Sequence, residues 1–77
     1  MHTLHFYIID TFLLIKHYND LGYDVVRSKK LALSSAYQLN KKDMSKKEFK
    51  IISDKAVVLF DNYLKEIEEI SKEVSKK

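Results

Sequence analysis

Apolar residues recur at steps of three and four through most of the chain, and the pattern breaks in only two places, which predicts three helices. The last run is the clearest. Phe49, Ile52, Ala56, Phe60, Tyr63, Ile67, Ile70 and Val74 fall on one helical face. Ser45 and Glu48 mark its start as a capping box: the serine hydroxyl accepts the amide hydrogen three residues on, and the glutamate accepts that of the serine. Met44 before the cap and Phe49 after the first turn are placed as a hydrophobic staple. Ile51, Val57, Val58, Leu59 and Leu64 widen the stripe over the first half, which predicts burial there on more than one side. Beyond Leu64 the stripe narrows to a seam. Glu68 with Lys72 and Glu73 with Lys77 flank it, each an acid four residues before a base, the favourable order for helical pairs.

The first run predicts a helix from about 3 to 21 that is apolar on nearly all sides. Leu4, Ile8, Ile15 and Tyr18 form one row, while Phe6, Ile9, Phe12, Leu13 and Leu14 occupy much of the rest. Such a helix needs protein around it. Two partner helices cover only part of it, so Phe6, Leu13 and Leu14 call for a third neighbour. Gly22 stands where this helix should end, because glycine adopts the left-handed C′ conformation at little cost. Tyr23 is then placed to pack back onto the helix, and Asp24 to cap the next one. So short a connection favours an antiparallel hairpin.

The second helix is expected over about 25–39, with Val25, Val26, Ala32, Leu33, Ala36, Tyr37 and Leu39 on one broad face and Asn40 as its stop. The fold class is therefore all-α: one domain over 1–77, a short antiparallel hairpin packed on a long third helix of about 46–74, with the last few residues frayed. At about 1.5 Å per residue the three helices are roughly 28, 22 and 43 Å long. The third outlasts its partners, which predicts that Ile67, Ile70 and Val74 lack cover within the chain.

Composition agrees with this picture. The 77 residues are 45% hydrophobic, with no proline and a single glycine, so little interrupts helices. The absence of cysteine excludes a disulfide framework and a thiolate metal site and suits a reducing cytoplasm. Asp10 and His5 interrupt the apolar stretch from Leu4 to Ile15, which is short for a membrane span and reads as core helix. Frequent Lys, Ile, Tyr and Asn suit an AT-rich bacterial or phage genome.

Charge adds a second surface. Between Arg27 and Lys50 there are eight basic residues and two acids, a local +6 that leaves −3 for the rest. Arg27, Lys30, Ser34, Gln38 and Lys41 align on the second helix as an acid-free polar stripe, with Lys42 following. Such a stripe suits an acidic protein surface or the phosphates of a nucleic acid. Leu31 lies among these residues as a possible apolar anchor. The helix-turn-helix pattern is not met around Gly22, because Tyr18 and Ser28 stand where it needs a small and a branched apolar residue.

No catalytic, cofactor or metal site is legible. His2 and His5 share a face without a carboxylate or cysteine at ligand spacing, and His17 is three turns away. Asp54 and Asp61 lack a nucleophile and base arrangement around them. The expected function is binding by a small cytoplasmic, non-enzymatic interaction or regulatory module, with no membrane and no small-molecule substrate. Phe6, Leu13, Leu14, Tyr63, Ile67, Ile70 and Val74 would form a homodimer or partner interface, two-fold pairs being the commonest oligomers. The alternative is an accessory nucleic-acid binder that uses the basic face.

Overall fold

A computed structural model of the chain describes residues 3–75, with side chains described over residues 5–73. It contains α1 (Thr3–Asp20), α2 (Val25–Asn40) and α3 (Lys46–Ser75), the three helices that the periodicity predicts, each bounded within about a residue of expectation.

The two breaks in the pattern are built by local hydrogen bonds. At Gly22, whose φ is +112°, the Gly22 amide donates to Asn19 O at 3.0 Å and the Tyr23 amide to Tyr18 O at 3.3 Å. These are the two bonds of a Schellman motif. The rings of Tyr18 and Tyr23 meet with centroids 6.0 Å apart, which supplies the apolar contact that accompanies it. Asp24 then accepts the Arg27 amide at 2.8 Å and starts α2. Stop, turn and restart thus occupy three residues. At the second break the Asn40 side chain donates to Ala36 O at 3.0 Å. The capping box closes reciprocally: the Glu48 amide donates to Ser45 Oγ at 3.1 Å and the Ser45 amide to Glu48 Oε1 at 2.9 Å.

Packing centres on α1, which lies against both other helices, while α2 and α3 touch along a much shorter stretch. Ile15 of α1 meets Ala32 of α2 and both Ala56 and Phe60 of α3 in one buried cluster. Alanines at two of these positions let the helix backbones approach a single large side chain. Phe12 sets the register of α1 against α3: its ring lies 6.2 Å from that of Phe60 and 5.7 Å, edge-on, from that of Tyr63. Tyr37 of α2 covers the start of α3 through Phe49, with centroids 5.2 Å apart. α1 and α3 therefore run parallel, with α2 antiparallel to both.

Two hydroxyls enter this core. Thr11 Oγ1 donates to Tyr7 O at 2.8 Å and Ser28 Oγ to Tyr23 O at 3.2 Å, so both are buried but satisfied. Ser53 differs, since its buried Oγ has no hydrogen-bond partner. A desolvated hydroxyl without a partner costs free energy, and alanine is the better helix former. Ser53→Ala is therefore expected to raise stability by about 1 kcal/mol. A urea midpoint that falls on this substitution would show that the hydroxyl is satisfied in solution.

The register also corrects the length argument. Phe12 lies beside Phe60 and Tyr63, so equal helical rise brings Asp20 opposite about residues 68–71. The excess length of α3 is thus shared between its two ends. Ile67 and Ile70 nevertheless remain 42% and 60% exposed, because α1 offers polar Lys16, Asn19 and Asp20 near that level. The side chain of Val74 lies outside the described residues.

Candidate interaction surfaces

α2 leaves one face of the α1/α3 pair open. On α1 this face carries Phe6, 70% exposed, and Leu13, 51% exposed, with half-buried Ile9 between them at helical spacing. His5 and Ile8 of α1 border a cleft whose other wall is Asp54, Lys55, Val58 and Leu59 of α3. Val58 and Leu59 are exposed, as is Ile51 about two turns earlier. The expectation that Ile51, Val58 and Leu59 are buried is therefore overturned. With α1 on one side and α2 on another, α3 has two covered flanks, and these three residues fall on the third. Val57 and Leu64, from the same widened stripe, do pack against the core cluster.

Of the residues expected at an interface, Phe6, Leu13, Ile67 and Ile70 are exposed. Leu14 and Tyr63 are not: both are half-buried and packed against the core cluster. Leu14 stands on the α2 side of α1, and the Tyr63 ring closes on Phe12 and, at 5.9 Å, on Phe60. Their apolar surface is already engaged within the chain. Leu39 and Val26, assigned to the buried face of α2, are instead among the exposed large side chains. The buried face of α2 is narrower than its sequence suggests, because contact with α3 is short.

The polar stripe of α2 is on the outside, with Arg27, Lys30, Ser34, Gln38, Lys41 and Lys42 all exposed. Leu31 is half-buried beside them and, with Asp24, Val26, Arg27 and Lys30, lines a surface depression. Lys29 leaves the basic group by bridging to Asp61 of α3 at 2.8 Å, the ion pair that ties those two helices together. This engages Asp61, one of the two α3 aspartates around which the sequence arranges no nucleophile and base. The other, Asp54, pairs with Lys50 at 3.4 Å, and Glu68 with Lys72 at 3.7 Å. Asp10, His5 and His17 face solvent, and His2 lies outside the described residues. Among the described residues, no three His, Cys, Asp or Glu side chains are grouped to hold a metal ion. No described helix is long and apolar enough to cross a membrane. The Lys16 ammonium keeps its proton to higher pH than usual, through its 2.9 Å hydrogen bond to Asp20 and then through that carboxylate's charge.

Sequence reasoning missed one row. Ile51, Lys55, Leu59, Asn62, Glu66 and Ile70 are all exposed along α3. Their spacing is visible in the sequence, but Ile51 and Leu59 adjoin the buried row of Ile52, Ala56 and Phe60 and read as added width of the core stripe, so that of the six only Ile70 is expected at an interface. No protein-family model matches the chain, and neither a curated protein nor a solved structure is significantly similar to it.

Proposed function

We propose that this chain is a cytoplasmic helical interaction module that pairs with a second copy of itself and acts by contact with a protein partner rather than by catalysis. The observation that carries this reading is the open face of the α1/α3 pair, where Phe6, Leu13, Val58, Leu59 and Ile70 are exposed together with Ile51 and Ile67. Single exposed leucines are ordinary in soluble proteins, but a row of large side chains on two adjacent helices marks an interaction surface. A small domain has little apolar surface to spare, because most of it must be buried to offset chain entropy. Covering this face with a second chain returns that surface to use. The cysteine-free composition suits the reducing cytoplasm.

The exposed, acid-free stripe of α2 favours a second reading, in which the same module is a nucleic-acid accessory. Sedimentation separates the two. The interaction module gives a dimer mass at about 100 μM that dissociates on dilution, and adding duplex or single-stranded nucleic acid leaves the mass unchanged. A strict monomer overturns self-association. Nucleic-acid binding that weakens steeply with salt and is lost when Arg27, Lys30 and Lys41 become glutamine moves the function to the second reading.

A further inference from the structure

We infer that two copies of the chain pair antiparallel through the outer row of α3, about a two-fold axis between Leu59 and Asn62. The inference rests on the self-association proposed above and gives it a geometry. Ile51, Lys55, Leu59, Asn62, Glu66 and Ile70, all exposed, are separated by steps of four, four, three, four and four. These steps keep the six side chains within an arc of about 100° and along roughly 28 Å of helix. The spacing reads the same from either end. A second α3 laid antiparallel on this row therefore puts Ile51 against Ile70, Lys55 against Glu66 and Leu59 against Asn62, and the two-fold axis makes each contact twice.

Charge decides the direction. In a parallel pair each residue of the row meets its own copy, so Lys55 faces Lys55 and Glu66 faces Glu66, and like charges in register are unfavourable. The antiparallel pair converts both clashes into ion pairs. Just beyond the two ends of the row the same register sets exposed Glu48 against exposed Glu73, the one like-charge contact of the antiparallel pair. That contact is weakened because the Glu48 carboxylate is turned back to accept from the Ser45 amide at 2.9 Å. Phe6 and Leu13 of α1 stand beside the row on the open face and widen the surface that the second copy covers.

The natural chain has no cysteine, so engineered thiols report orientation without background. Ile51→Cys and Ile70→Cys are made separately in the full chain and oxidised alone and as an equimolar mixture. In the antiparallel pair two copies of residue 51 are about 28 Å apart, well outside the roughly 7 Å between Cα atoms that a disulfide spans. The expected result is a covalent dimer in the mixture and none in either variant alone. Same-residue disulfides in the separate samples overturn the orientation while leaving the self-association standing. A wild-type dimer mass with no linkage in any sample overturns the use of this row, and a wild-type monomer overturns both proposals. As a second readout, Lys55→Glu weakens the wild-type pair by roughly tenfold and Glu66→Lys in the same chain restores it. A parallel pair keeps like charges in register in both variants and shows neither change.

Discussion

Replacing Phe60 by alanine is expected to leave the chain largely unfolded at physiological temperature. Phe60 is fully buried, belongs to the cluster that joins all three helices, and packs its ring against Phe12 and Tyr63. Truncating a buried phenylalanine costs about 3–5 kcal/mol, part from lost transfer free energy and part from the cavity left behind. A domain of this size has a total stability of about 4–12 kcal/mol. The site cannot collapse easily, since the neighbours that would have to move are Ile15 on one helix and Ala32 on another, each already in contact. Thermal denaturation followed by far-UV circular dichroism should show a midpoint lowered by more than about 15 °C. Leu39→Ala is the matched control: it removes a large side chain that is 74% exposed and should leave the midpoint nearly unchanged. Comparable losses from the two substitutions would mean that the core is not centred on Phe60.

Local signals in this sequence place the helix ends to within about a residue, and the reason is physical. Gly22, Tyr23 and Asp24, like Ser45 and Glu48, act through hydrogen bonds to backbone no more than five residues away, so the information needed to place them lies in one stretch of chain. Faces are a different matter. Whether Val58 or Val57 is buried depends on where α2 sits against α3, and that is set by contacts such as the Lys29 bridge to Asp61, thirty-two residues apart. Periodicity places both valines on or near an apolar stripe but does not say where the stripe stops being covered. Leu14 and Tyr63 show the converse: the sequence places both at an interface, Leu14 because two partner helices cover only part of α1 and Tyr63 with the seam of α3, yet both pack inside once Phe12 fixes the register. The polar stripe of α2 was legible because it needs only the absence of contacts over one face of a single helix.

Ile70→Lys is expected to dissolve the proposed pair while leaving the monomer folded. Ile70 is 60% exposed within the chain, so its removal takes little from the core, and lysine is an adequate helix former. Burying an isoleucine fully contributes about 1.5–3 kcal/mol, of which the part still exposed here, roughly 1–2 kcal/mol, remains to be gained on pairing. Two-fold symmetry counts this loss twice, and each new ammonium would also have to lie against Ile51 of the other copy. Together these weaken the pair by about 2–4 kcal/mol, a rise in the dissociation constant of roughly thirty- to a thousandfold. Ser71→Lys provides the comparison, because it adds the same charge at the next position of α3, on an exposed residue that the row does not contain. If the row is the interface, sedimentation across a dilution series shows monomer for Ile70→Lys under conditions where wild type and Ser71→Lys are dimers, with unchanged helical circular dichroism for all three. Equal dissociation constants for the three proteins would remove Ile70 from the interface. Weakening by both lysines alike would mean that net charge at the end of α3, not the side chains of the row, governs association.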